Sequence, residues 1–214
     1  LSALQEVIRQ KAGLCMVKLS PMLDVKSALD TLEHVAEVHA VSVCGECKEL
    51  LLVQTRCRPD GLVFHCVDLG NRDSDYSFTP EEEAKAPCVY ADGPGRFLYE
   101  PHASVMKCGG FRSLACRYGL RKLHPHSHLY TSDGWEPDFP GRGFVVEACG
   151  GFGKKELNGL LQGIQKANLT VRNFPDTVAG LRKRLKLKEG GEAYLFATTL
   201  AGGRHVLLRC RKPS

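Results

Sequence analysis

The chain has 214 residues, of which 43% are hydrophobic and 25% charged. This composition excludes disordered, collagenous and coiled-coil classes and predicts a packed core in one large domain or two small ones. No apolar run approaches the roughly 18 residues of a membrane-spanning helix, so no membrane partner is expected. The net charge of +5 is segregated, because residues 1–58 are neutral, 59–100 carry −6 and 101–214 carry +11.

The first segment mixes helical and strand patterns. We predict helices over residues 1–12 and 25–32 and strands over 14–19, 38–43 and 50–53. Cys44-Gly45-Glu46-Cys47 is predicted to be a tight turn between the last two strands. A tight turn joins antiparallel neighbours, so this order predicts the end of an open α/β sheet whose last strand is antiparallel. The start, Leu1-Ser2-Ala3, lacks an initiator methionine and signal-peptide features, and we expect a fragment of a longer protein.

The acidic segment begins with a predicted strand over residues 61–67 and continues into a polar stretch rich in turn residues. Thr79-Pro80-Glu81-Glu82 has the signature of a helix start, with Thr as N-cap and Pro at the first helical position. The segment is therefore predicted to be a small module with a strand and a helix.

The basic segment is predicted to be a second, α+β domain. Its elements are a helix around 103–118, loops through 124–128 and 138–142, a strand over 143–148, a helix over 155–164, a strand over 167–173, a helix over 177–187, and a hairpin of strands 192–199 and 204–209.

Two groups of residues have spacings that suggest metal ligands. Cys44 and Cys47 form half of a zinc motif, but no second pair completes it, so an ordinary hairpin turn is the favoured interpretation. His124, His126 and His128 alternate in a segment that Pro125 marks as a loop, where contacts to protein or phosphate are more common than metal. We expect no metal site. The ten cysteines lie mostly in apolar runs, which predicts free thiols in a reducing cytoplasm.

The strongest functional pattern is a basic surface. Residues 154–188 carry a net charge of +7. The predicted helix over 177–187 has an apolar stripe of Val178, Leu181 and Leu185, with cations around the rest. The candidate RNA-binding residues are Lys154, Lys155, Arg172, Asn173, Arg182, Lys183, Arg184 and Lys186. Few aromatics are available for base stacking, so recognition of the RNA backbone and shape is favoured, with solubility alone as the alternative explanation.

Catalytic motifs are absent from the sequence. No glycine-rich dinucleotide loop, phosphate loop or G-x-S-x-G nucleophile elbow occurs. Spacing alone therefore identifies no catalytic residue.

Several motifs resemble a known family. Residues 17–24, 38–43 and 46–51 resemble the last third of the class I S-adenosylmethionine (SAM)-dependent methyltransferase domain in a family of Bacteroidetes proteins, in which a ferredoxin-like insert and a THUMP-like domain follow. The signatures of the THUMP-like domain in this family are resembled by five further segments, residues 99–104, 123–132, 138–142, 170–175 and 194–199. The resemblance covers nearly the whole chain.

The resemblance implies three domains. Residues 1–57 would end a Rossmann-like methyltransferase sheet, 58–100 would be the ferredoxin-like module and 101–214 the THUMP-like domain. Strands over 14–19, 36–43 and 48–55 would be the fifth, sixth and antiparallel seventh of the sheet. The family implies SAM as the cofactor. Its SAM-binding loop would lie upstream of residue 1, so the isolated chain is expected to be inactive.

The resemblance also places Ser20, Pro21 and Asp24 beside the substrate cleft, because ligands of open α/β sheets bind at the carboxyl ends of strands. The alternative is that Pro21 shapes the turn and Asp24 caps the helix that begins at Val25. Two functions remain open: the C-terminal portion of an RNA methyltransferase, with tRNA or rRNA as partner, and a module that binds RNA or protein without catalysis.

Overall fold

The computed structural model describes residues 4–70 and 74–213. The chain folds into two compact units: residues 1–87 with 101–113 form the first, and residues 88–100 with 114–214 form the second. No helix in the described residues is both long and apolar enough to cross a bilayer.

The first unit contains a five-stranded sheet. Its helices and strands are α1 Gln5–Lys11, β1 Leu14–Leu19, α2 Val25–Thr31, β2 Val35–Val43, β3 Glu46–Thr55, β4 Val63–Asp68, β5 Ser74–Phe78, α3 Pro80–Lys85 and α4 Ala103–Cys108. The strand order is β1-β3-β2-β4-β5. β3 is antiparallel to both β1 and β2, so these two strands run in the same direction, and β4 is parallel to β2. The predicted antiparallel orientation of β3 is confirmed. β3 is not the last strand of the sheet, because it lies between β1 and β2 and is followed in the chain by β4 and β5.

The turn between β2 and β3 shows how the sequence specifies this sheet. Cys44 and Gly45 both have positive φ, 52° and 83°, and Val43 pairs with Glu46 across the turn. Two positive φ values in a two-residue loop characterise the type I′ hairpin, whose twist matches that of the flanking strands. The predicted hairpin turn is confirmed.

The second unit contains an eight-stranded sheet. Its elements are β6 Phe97–Pro101, α5 Phe111–Arg117, β7 Arg121–Lys122, β8 Tyr130–Ser132, β9 Gly141–Gly150, α6 Lys154–Leu160, β10 Lys166–Arg172, α7 Val178–Leu185, β11 Lys188–Glu189, β12 Ala193–Thr199 and β13 His205–Arg211. The last residue of β6 and the first three of α5 are assigned to the first unit. The strand order is β11-β10-β12-β13-β9-β6-β8-β7. The predicted hairpin of β12 and β13 is antiparallel as expected.

Each face of this second sheet packs its own core. One cluster includes Phe144, Phe196 and Leu208. The other includes Leu160 of α6, Leu181 of α7 and Leu195 of β12. Since α6 and α7 share a cluster, both helices pack on the same face of the sheet.

The domain boundaries predicted at residues 57 and 100 do not coincide with divisions in the structure. Strands β4 and β5 pair in the same sheet as β1–β3, so no structural division follows residue 57. β6 spans residue 100 and lies between β9 and β8 in the second sheet. The sequence patterns missed β5, β6, β7, β8 and β11, because the pairing of these short strands depends on partners that no local pattern identifies.

α3 has the predicted helix start. The Thr79 hydroxyl accepts a hydrogen bond from the Glu82 amide at 3.2 Å, and the Glu82 carboxylate accepts one from the Thr79 amide at 2.7 Å. This reciprocal capping box has Pro80 at the first helical position, as expected.

Replacing Thr79 with alanine should loosen the first turn of α3, a helix of six residues that buries none of them. We expect a loss of about 1 kcal/mol, seen as roughly fivefold faster amide hydrogen exchange of Glu82 and Glu83. Thr79→Ser keeps the capping oxygen and should exchange at nearly the wild-type rate. Equal exchange in the alanine variant and the wild type would show that the cap is not needed.

Candidate functional site

The predicted cleft residues lie at the carboxyl end of β1. The Ser20 hydroxyl accepts a hydrogen bond from the Met22 amide at 3.2 Å, and the Ser20 carbonyl accepts one from Leu23 at 3.0 Å. Asp24 is the N-cap of α2 and accepts a hydrogen bond from the Ser27 amide at 3.0 Å. The capping role considered from the sequence is therefore present, and a role for the same loop in substrate binding is compatible with it.

A buried polar cluster lies elsewhere in the first unit. The Ser42 hydroxyl donates to the Asp68 carboxylate and lies 3.2 Å from the Ser104 hydroxyl. His102 Nδ1 is 3.4 Å from Asp68. A serine nucleophile needs the histidine, not the carboxylate, as its hydrogen-bond partner. The cluster therefore joins β2, β4 and α4 and is not a hydrolase triad, and nothing in the spacing of its residues had indicated it.

The cysteines of the described residues are all free thiols. Cys66, on β4, is buried beside Cys108. A hydrogen bond to Cys108 and burial together raise the pKa of the Cys66 thiol. A protonated thiol is a poor nucleophile, so Cys66 contributes to packing rather than to catalysis.

The exposed part of the basic surface lies on α6 and α7. Lys154 and Lys155 are exposed in the first turn of α6, and Lys183 and Lys186 are exposed at the end of α7. The Arg184 guanidinium lies 5.4 Å from the centre of the Phe152 ring. Since Phe152 is two residues before Lys154, this contact brings the cation of α7 close to the start of α6. These five cations, Lys154, Lys155, Lys183, Arg184 and Lys186, are called the basic face below.

The other three predicted RNA-binding residues contact side chains of the second unit. Arg172 donates two hydrogen bonds to one carboxylate oxygen of Glu100, at 3.1 and 2.8 Å. Asn173 Nδ2 lies 2.9 Å from His124 Nδ1. Arg182 is 3.4 Å from Glu189, and its side chain is only 21% exposed. The structure thus divides the predicted set between five cations of an exposed face and three residues with side-chain partners, of which Asn173 is exposed and Arg172 is 38% exposed.

The predicted apolar stripe of α7 is partly confirmed. Leu181 is fully buried and Leu185 packs against the same cluster, whereas Val178 is 38% exposed. Phe196 is buried in the opposite core and Tyr194 packs on Phe144. The Phe196 ring is therefore closed to base stacking, whereas the Tyr194 ring is only partly buried.

Glu100 is a buried charged position that the sequence did not single out. Its carboxylate is 4% exposed and pairs with both Arg142 and Arg172. The two arginines come from β9 and β10, so the buried carboxylate and its partly exposed partners tie β6 to strands that are distant in sequence.

The histidines lie in a loop, as predicted, and the structure places this loop between β7 and β8. His124 Nδ1 accepts a hydrogen bond from the His126 amide at 3.0 Å. Burial, together with the charges of Lys122, Arg172 and His126, lowers the pKa of His128 to about 4 from its ordinary 6.5. His128 is therefore neutral at physiological pH.

This low pKa has a consequence for stability. Between pH 6.5 and 4 the unfolded chain binds a proton at His128 that the folded chain does not. The free energy of unfolding therefore decreases as the pH falls from 6.5 to 4. The ring is only half-buried, so solvent screening reduces the effect to about 1 to 2 kcal/mol. His128 has φ of 53°, which asparagine tolerates. His128→Asn should therefore reduce the loss of stability in urea titrations between pH 7 and 4.5, and an unchanged pH profile would contradict the assignment.

The structure assembles one group of potential metal ligands that the sequence analysis missed. Among residues 4–70 and 74–213, Glu37, His39 and His65 alone form a set of three whose ligand atoms all lie within 4.8 Å of one another. The group joins β2 and β4, which are adjacent only in the folded sheet.

Comparison with protein families identifies two regions of the chain. Residues 97–140 match the ferredoxin-like domain family, and residues 141–212 match the THUMP domain-like family. The ferredoxin-like match differs from the expected range of 58–100 and begins with β6, while the THUMP-like match begins with β9.

Relatives cover nearly all of the chain. Two proteins from Mycobacterium tuberculosis strains, CDC 1551 / Oshkosh and H37Rv, are described as uncharacterized S-adenosylmethionine-dependent methyltransferases and are 23% identical over 93% of this chain and 54% of theirs. The crystal structure of a putative methyltransferase from Porphyromonas gingivalis W83 superposes with a TM-score of 0.91 at 39% identity. The superposition covers 99% of this chain and 54% of the Porphyromonas gingivalis chain. The chain thus spans about half the length of the proteins it matches.

Proposed function

The chain belongs to the family that combines a ferredoxin-like domain with a THUMP-like domain, and from this premise we propose that it is the C-terminal part of a class I SAM-dependent methyltransferase acting on RNA. The second unit would bind RNA, and the sheet of the first unit would complete the methyltransferase domain. The proposed substrates are tRNA or rRNA, and the proposed location is the cytoplasm.

The edge of the first sheet favours an enzyme over a module without catalysis. β1 is an edge strand, and its side chains Leu14 and Met16 are 61% and 57% exposed. Apolar side chains on an open edge strand favour association with further strands. In the proposed protein, the further strands of this sheet and the SAM-binding loop would lie in a segment that corresponds to the half of the relatives' length that this chain does not span. The chain by itself would then bind RNA without transferring a methyl group.

The proposed roles follow from position. Ser20, Pro21 and Asp24 follow β1 at its carboxyl end, where ligands of open α/β sheets bind, and would line the substrate side of the cleft. The basic face would contact phosphates, because lysine and arginine side chains on an exposed helix surface make sequence-independent contacts with a nucleic acid backbone. Arg172, Asn173 and Arg182 would support the RNA-binding domain through their contacts with Glu100, His124 and Glu189.

The exposed basic face is the observation that carries the assignment to RNA, and binding to RNA is its test. We expect the 214-residue chain to bind a mixed tRNA pool, with an affinity that falls steeply as salt rises, and to bind duplex DNA less tightly. Absence of binding to tRNA at low salt would exclude RNA as the partner. Methyl transfer from SAM by this chain alone would contradict the proposed upstream position of the SAM site.

A further inference from the structure

Three potential metal ligands share one face of the first sheet. Glu37 and His39 alternate along β2, so their side chains project to the same side of the strand. His65 lies directly beside His39 in the parallel pairing of β2 with β4. The three side chains are therefore neighbours because of strand register, although 26 positions separate the two histidines in the sequence.

The side chains are close enough to share one ion. His39 Nε2 is 2.7 Å from a carboxylate oxygen of Glu37. The rings of His39 and His65 stack with centres 4.4 Å apart and an angle of 15° between their planes. All three ligand atoms lie within 4.8 Å of one another. An ion at the roughly 2 Å distance that zinc makes with nitrogen or oxygen would replace the hydrogen bond between His39 and Glu37 and tilt the stacked rings so that their nitrogen lone pairs converge.

A neighbouring residue orients one of the ligands. His65 Nδ1 lies 2.9 Å from the hydroxyl of Ser77, its partner on β5. This hydrogen bond engages one ring nitrogen and leaves Nε2 for an ion, which is the arrangement that usually supports a histidine ligand. The side chains of His39 and Glu37 are 26% and 43% exposed, so water can reach the group and complete the coordination.

We infer that Glu37, His39 and His65 form a binding site for one Zn²⁺ ion, with water at the remaining position. Two imidazoles and one carboxylate suit zinc, whereas Mg²⁺ and Ca²⁺ prefer sets of oxygen ligands. The ion would join β2 to β4 on the sheet of the first unit. This inference is independent of the proposed RNA methyltransferase function, and it concerns residues outside both sequence patterns that suggested metal.

Calorimetric titration of the metal-free 214-residue chain with ZnCl₂ tests the inference. We expect one ion to bind with micromolar or tighter affinity, and MgCl₂ to produce no binding. His39→Gln and His65→Gln should each weaken zinc binding by at least about tenfold, because each removes one of only three protein ligands. Zinc should also raise the thermal unfolding midpoint of the wild type and leave that of His39→Gln/His65→Gln unchanged.

Control variants distinguish this site from the other potential ligands. His126→Ala removes an exposed histidine of the β7–β8 loop, and Cys44→Ser/Cys47→Ser removes the exposed and half-buried thiols of the hairpin. Both should bind zinc like the wild type. Absence of zinc binding by the wild type, or loss of binding in a control variant while the glutamine variants retain it, would overturn the inference. Circular dichroism of each metal-free variant establishes that it is folded before titration.

Discussion

Replacing Arg142 and Arg172 together with methionine is expected to destabilise the second unit by about 3 to 5 kcal/mol, the largest change in stability that we predict. The Glu100 carboxylate is 4% exposed, and these two arginines are the ionic partners found for it in the described residues. Without them a charge would remain buried and unpaired. Methionine preserves much of the apolar length of the arginine side chain, so the effect reports mainly the lost ion pairs.

A third substitution separates charge from packing. Adding Glu100→Leu to the methionine pair removes the buried charge and should restore most of the lost stability, because a buried ion pair is often replaceable by apolar residues. Arg121→Met is the matched control. Its partner, Asp133, is 75% exposed, so the loss should stay below about 1 kcal/mol. Urea titrations of the four proteins measure these differences, and a triple variant no more stable than the double would show that the arginines act through packing.

Replacing Lys154, Lys155 and Arg184 with alanine is expected to weaken tRNA binding by roughly tenfold or more at low salt. Lys154 and Lys155 are exposed, and Arg184 is placed near them by its contact with Phe152. Each lost phosphate contact reduces the slope of log affinity against log salt by somewhat less than one, so a decrease of about two to three is expected.

Three exposed cations of the first unit provide the matched control. Lys26→Ala/Arg56→Ala/Arg58→Ala removes the same total charge from residues outside the basic face. Its tRNA affinity and salt dependence should remain near those of the wild type. Equal losses in both triple variants would mean that net charge, rather than the basic face, attracts the RNA, and no loss in either would exclude the basic face from binding.

Local features of the fold were predictable because they depend on residues close together in the chain. The positive φ values at Cys44-Gly45 and the capping box of Thr79 and Glu82 arise within four residues of sequence. The antiparallel position of β3 followed from its tight turn with β2. The five cations of the basic face were predicted to be exposed. On α7 the reason is that polar residues opposite an apolar stripe face solvent.

Long-range pairing had to come from the tertiary structure. β4 and β5 join the first sheet, and β6 joins the second, through hydrogen bonds to strands whose register no local pattern encodes. The same pairing turns Arg172 from a predicted phosphate contact into a partner of Glu100, 72 residues away.

The sequence by itself therefore determined the family, the hairpin turns, most helices and strands, and the concentration of positive charge near the C-terminus. Only the tertiary structure decided which cations remain exposed, and which acidic and histidine side chains meet. The physical reason is that turns and caps are stabilised by neighbouring residues, whereas the contacts of Glu100 with its arginines and of His39 with His65 exist only once distant strands have paired.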